Sequence, residues 1–86
     1  MIHLDVSDLL PPEPYSRALD VLANMPKGTI LNMTHRQEPY PLYQTASEMG
    51  FKHLTTYPSH GVVKIQFWHK DNKDAETYCS KHLISD

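Results

Sequence analysis

Ile2, Leu4 and Val6 alternate with His3 and Asp5, a period-two pattern that predicts a short, half-buried strand with a polar outer face. After the proline-rich segment Leu9-Leu10-Pro11-Pro12-Glu13-Pro14 the period changes. Tyr15, Ala18, Leu19, Leu22 and Met25 recur at steps of three and four, opposite Ser16, Arg17, Asp20 and Asn24, so a first helix is predicted from about Pro12 to Met25. Pro26 and Gly28 stop it. Proline is tolerated at the first helical position because the backbone N–H there has no intrahelical partner.

Ile30, Leu31 and Met33 lie between that stop and the polar run 34–38, which predicts an inner strand over residues 29–34. A second helical stripe follows Pro39 and Pro41: Leu42, Tyr43, Ala46 and Met49, with Gly50 placed to take a left-handed conformation after the last turn. Residues 51–57 and 62–69 flank Pro58-Ser59-His60-Gly61 and are predicted to pair as a hairpin. In the second of these strands Val63, Ile65 and Phe67 face the helices, whereas Lys64, Gln66 and Trp68 face away. Ala75, Tyr78, Cys79, His82 and Leu83 fall at helical spacing after Asp74, an N-cap candidate, so the polar tail 71–86 reads as a short third helix.

The predicted order is βαβαββ. A right-handed crossover then sets both long helices on one face of a four-stranded mixed sheet, an α/β two-layer sandwich over residues 1–70 followed by the tail. At 86 residues the chain holds one core, burying roughly 60–65% of the surface of the unfolded chain. Leu4, Leu19, Leu22, Leu31, Leu42, Ala46, Ile65 and Phe67 are expected to form it. A formal net charge of -2 gives no basic field for nucleic acid or an acidic membrane, and no apolar run reaches the length of a membrane span. Cys79 is the single cysteine, so no internal disulfide forms and a reducing cytoplasm is the expected compartment.

A first strand ending in Leu4-Asp5-Val6, the helix entry Leu10-Pro11-Pro12-Glu13-Pro14, the stop Pro26-Lys27-Gly28 and the βαβαββ order resemble the TusA-like sulfur-carrier fold over residues 2–69. In those carriers the residue before Pro-Glu-Pro is a cysteine, whose thiolate is favoured by the positive end of the helix. Here Pro11 stands there. Together with Glu38-Pro39-Tyr40-Pro41-Leu42-Tyr43, the entry is more specifically similar to an uncharacterised sister family with proline at that position. That resemblance implies a fold without the carrier chemistry, in the company of hemerythrin-like or other redox-associated modules, hence a redox or nitrogen-oxide context.

The loops after the first two strands leave the same edge of a parallel pair, where ligands of open α/β sheets tend to bind. Pro11, Pro12, Glu13, His35, Arg36 and Glu38 are therefore the candidate binding residues. His35 and Arg36 would add donors for an anion at the helix N-termini, while Glu13 and Glu38 would oppose one. The plainer alternative makes the two glutamates dipole complements and His35 and Arg36 solvated loop residues. No Ser, Cys or Thr stands in a recognisable catalytic spacing with a histidine, so a non-enzymatic binding or accessory module without a cofactor is expected, serving a protein partner or a small anion.

Two further classes stay open. Cys79 could carry sulfur or redox chemistry, and Cys79 with His82, three apart on a helix, could join His69 as weak metal ligands. His3, His53 and His60 have no ligand spacing and are expected at the surface or in turns. On the helix-free sheet face, Trp68 amid His3, Asp5, Lys64 and Gln66 is either an exposed anchor for a partner or homodimer, or is covered by the tail folding back.

Overall fold

The computed structural model describes residues 1–84, with side chains through residue 81. Seven elements follow one another: β1 Ile2–Asp5, α1 Glu13–Asn24, β2 Ile30–His35, α2 Tyr40–Glu48, β3 Phe51–Ser59, β4 Val62–His69 and α3 Lys73–Ile84. The strands form a mixed sheet ordered β1-β2-β4-β3, with β1 and β2 parallel and the other neighbours antiparallel. This is the expected two-layer α/β sandwich.

Strand parity sorts the two faces. Leu31, Met33 and His35 of β2 share a face with Val63, Ile65 and Phe67 of β4, and this face meets α1 through Ala18 and Leu22 and α2 through Leu42 and Ala46. Val6, just after β1, is also fully buried. Leu4 and Leu19, expected at the centre, are only partly buried at its margin. The reason is angular: α1 buries Pro14, Ala18 and Leu22, a row at four-residue steps, and Leu19 lies to the side of that row.

The strand boundaries differ from the prediction by one or two residues, most of all at the hairpin. β3 runs on through Pro58 to Ser59, with a register irregularity between Thr56 and Ser59, and only His60 and Gly61 remain as the turn. Proline is accommodated because β3 is an edge strand, whose outer backbone groups need no ladder partner. Gly61, at φ +75°, takes the left-handed conformation that the tight turn requires. Gly50, at φ +95°, ends α2 as its sequence position implied.

The open sheet face is partly covered. α3 folds back so that Ala75 and Cys79 pack on Trp68, with Ile30 and Leu54 beside them. Trp68 is therefore buried, not an exposed anchor, and the apolar centre on which a homodimer through this face was to rest is already occupied. α3 is capped by Asn72 rather than Asp74: its side-chain oxygen accepts from the Ala75 amide at 3.1 Å, and its amide donates to the Lys27 carbonyl at 3.0 Å. A short ion pair between Lys52 of β3 and Glu76 holds the other side. Among the described residues no helix is long and apolar enough to cross a membrane.

Candidate functional site

The β1–α1 and β2–α2 loops meet because β1 and β2 are parallel: Asp5 is paired with Thr34, and the Val6 amide donates to the Thr34 carbonyl at 2.9 Å. Between the loops lies a cleft of about 170 Å³. Its walls are Pro11, Pro12, Pro14 and Tyr15 from the first loop and helix, and His35, Gln37, Glu38, Pro39, Pro41 and Leu42 from the second. The Pro11–Pro12 peptide bond is cis. The Tyr15 hydroxyl lies 2.7 Å from Thr45 Oγ1, which in turn donates to the Pro41 carbonyl, so α1 and α2 are tied together beside the cleft.

Of the six candidate residues, Pro11, Pro12, His35 and Glu38 line this cleft. Glu13 and Arg36 do not. Glu13 points to solvent and faces Arg17 one helical turn on, at 3.9 Å, and Arg36 is exposed.

His35 is the largest departure from the sequence reading. It is the last residue of β2 and only 6% exposed, because strand parity turns its ring inward with Leu31 and Met33. Its Nδ1 accepts from the Arg36 amide at 2.8 Å and the Gln37 amide at 3.4 Å. An imidazole that accepts at Nδ1 carries its proton on Nε2. Burial, and secondarily the Arg36 charge, pull its pKa below the ordinary histidine range. The ring is a neutral, oriented donor in the wall of the cleft, not a solvated cation.

The helix N-termini that would cradle an anion have few donors to offer. Pro11, Pro12, Pro14, Pro39 and Pro41 have no N–H. The amides of Glu13 and Ser16 in α1 are spent on the Leu10 and Pro12 carbonyls, and those of Tyr40, Leu42 and Tyr43 in α2 on the Glu38 and Pro39 carbonyls. Few backbone donors are therefore left for an anion, and the cleft is mostly apolar wall.

A polar cluster on the far side of Glu38 was not read from the sequence. Tyr40 donates to Glu38 Oε2 at 2.9 Å and Tyr43 to Oε1 at 3.2 Å, and the Tyr57 hydroxyl reaches the same carboxylate. The hydroxyls of Tyr57 and Tyr40 chiefly, then Tyr43, hold the Glu38 carboxyl below the usual carboxylate range. In return Tyr57 is pushed up to about 12, mainly by its bond to Glu38, and Tyr43 to about 12, mainly by burial. The Tyr43 hydroxyl also meets Thr55 Oγ1 at 2.6 Å, and its ring stacks on His53. His53 is exposed, as expected, but one face of its ring is covered by Tyr43 of α2. The signal was present in the period-two set His53, Thr55 and Tyr57, one face of an edge strand that turns toward α2.

Residues 3–69 match the model of a family described as an uncharacterized conserved protein (DUF2249). The chain belongs to this family. The crystal structure of a SirA-like protein from Desulfitobacterium hafniense is similar to it at 21% identity and a TM-score of 0.69, over 78% of this chain and 95% of that one. The likeness is one of fold, and it supports the distant SirA/TusA-like architecture implied by the proline motifs. A search of the curated proteins found no match.

In this DUF2249 chain α3 lies beyond the matched residues, and with it Cys79 and His82 of the two alternative chemistries. Cys79 is fully buried against Trp68, and desolvation raises its thiol pKa, the opposite of what a reactive thiolate needs. His69 shares the inward parity of Val63, Ile65 and Phe67 and sits edge-on to Phe51, so the sheet separates it from Cys79 on the other face. Its Nδ1 accepts from the Asp71 amide at 3.2 Å. The His82 side chain lies outside the described residues. Among those described, no three His, Cys, Asp or Glu residues are grouped to hold a metal.

Proposed function

We propose that the chain is a small non-enzymatic accessory domain that docks a protein partner in the cleft between the β1–α1 and β2–α2 loops. The observation that carries this reading is the cleft itself: five proline rings with Tyr15 and Leu42 form an apolar wall, and His35 supplies one oriented donor within it. Rigid rings lose little conformational entropy on contact, so such a wall favours association over turnover.

Pro11 takes the position at which the resembling sulfur carriers have their cysteine, and proline has no nucleophile. The only thiol lies on the far side of the sheet, buried. A persulfide relay at the cleft therefore has no residue to carry it. The redox or nitrogen-oxide setting of this proposal rests on the resemblance of the two proline motifs, and its cytoplasmic setting on the single cysteine.

Affinity capture from native lysate tests the reading with three baits: the parent chain, a Pro11→Arg/Gln37→Arg double variant that fills the cleft mouth, and His3→Glu on the open sheet face. A protein retained by the parent and by His3→Glu but lost from the double variant supports the cleft. Equal retention by all three, or loss with His3→Glu alone, contradicts it.

A further inference from the structure

Glu38 is a carboxylate without a counter-charge. Three tyrosine hydroxyls turn toward it, and each is a neutral donor. The ion pairs among the described residues are Arg17–Glu13, Lys52–Glu76 and His69–Asp71, and none includes Glu38. Arg36, two residues before it, makes no ion pair with it, and burial disfavours the charged form of His53, the nearby base. The negative charge is therefore fixed in position by hydrogen bonds and left unneutralised.

Its placement gives that charge a direction. Glu38 lines the proline-walled cleft, whereas Tyr40, Tyr43 and Tyr57 do not. A carboxylate has about four acceptor directions. Tyr40 and Tyr43 take one direction on each oxygen, and the Tyr57 hydroxyl crowds the same carboxylate. A carboxylate so crowded suits a point donor better than the two-pronged fork of a guanidinium. The apolar wall leading to it suits an aliphatic stem. At roughly 30 Å³ for each water-sized group, a cleft of about 170 Å³ has room for the five heavy atoms of a lysine side chain.

We propose that the cleft receives a lysine side chain of a partner protein, its methylene stem against Pro11, Pro12, Pro14 and Leu42 and its ammonium on Glu38. This assignment deepens the docking role proposed above and rests on it. The His35 Nε2–H is a donor, so it contributes nothing to holding the ammonium and leaves Glu38 as the charge reader.

The probes are three capped peptides, acetyl-Ala-Lys-Ala-amide and its arginine and norleucine counterparts, titrated into isotope-labelled protein at low salt while amide shifts are followed. The lysine peptide should move the Gln37, Glu38 and Leu42 amides and saturate at about tenfold lower concentration than the norleucine peptide, the size of one charge-assisted hydrogen bond. Glu38→Gln should erase that difference. Tyr40→Phe, which keeps the charge but frees an acceptor direction, should improve the arginine peptide relative to lysine, and so provides a second variant if Glu38→Gln does not fold.

Equal saturation by lysine and norleucine, an arginine peptide that matches lysine in the parent chain, or no shift from any peptide overturns the lysine assignment. The docking reading survives those outcomes if the captured partner still moves the cleft amides, and falls with it if that partner moves other amides. Concentration-dependent shifts at the same amides without peptide would assign the cleft to a second copy of this chain and overturn the partner assignment.

Discussion

The Tyr43 ring lies flat on the His53 imidazole, with 3.9 Å between centroids and 5° between planes. This stack joins α2 to the edge strand β3, and the Tyr43 hydroxyl, between Thr55 and Glu38, extends it to the rim of the cleft. The position of Glu38 thus depends on packing one layer behind it.

Tyr43 gives the first prediction. Tyr43→Phe keeps the ring and loses two hydrogen bonds, at a cost of about 1–2 kcal/mol, whereas Tyr43→Ala also loses the stack and leaves a cavity, at a cost of about 3–4 kcal/mol. Urea unfolding measures both. Equal losses for the two variants would mean that the stack contributes nothing.

Acidification should destabilise the fold in two steps. His35 and His53 both have folded pKa values below 6.5, chiefly from burial. Between that value and their lower folded values the unfolded chain binds protons that the native state refuses, so stability is full above about pH 6.5 and falls as pH drops through this window. Glu38, held below its ordinary 4.5, adds a further loss at lower pH by the same linkage. Unfolding free energies taken from about pH 8 down to about pH 5 should decline, and His35→Gln should flatten part of the slope. A flat profile in the parent chain would contradict the lowered pKa values of the buried His35 and the Tyr43-stacked His53.

At the alkaline end, phenolate absorbance should resolve the cluster. Tyr43 and Tyr57 are held to about 12, so their ionisation should trail that of an ordinary tyrosine near 10. In Glu38→Gln the Tyr57 step should return most of the way, because the carboxylate is its main cause, while Tyr43, raised mainly by burial, should move less. A Tyr57 step unchanged by this substitution would remove the hydroxyl cluster from the account.

Cys79 should react with a thiol reagent only as slowly as α3 opens, and at full speed in urea. Cys79→Ser places a hydroxyl against Trp68 in an apolar site, so it should cost about 1–3 kcal/mol of local stability and shift tryptophan emission to the red. Leu22→Ala, by contrast, should cost about 2–5 kcal/mol globally, and Leu19→Ala clearly less. Immediate labelling of native Cys79 would reopen the sulfur-transfer alternative.

How far the sequence could be read follows from the range of each interaction. Helix and strand identities came from patterns within about ten residues, and the two proline entries and Gly50 fixed their ends, so element order and layer arrangement were legible. The meeting of the two loops followed from topology alone. Burial of His35 depended on one more residue joining β2, which set its parity inward. Burial of Trp68 depended on α3 returning across the sheet, and the convergence of Tyr57 on Glu38 spans nineteen positions in sequence. The first hangs on a strand boundary, and the other two are not local patterns.

The most direct test of the central claim is an amide-shift map of the labelled chain titrated with the partner captured on the parent bait. Because prolines carry no amide, the report comes from Tyr15, His35, Gln37, Glu38 and Leu42. The cleft account predicts that these five move together while Lys64, Gln66 and the amides of α3 stay fixed. Shifts confined to Lys64, Gln66 and α3, with the five cleft amides unmoved, would contradict it.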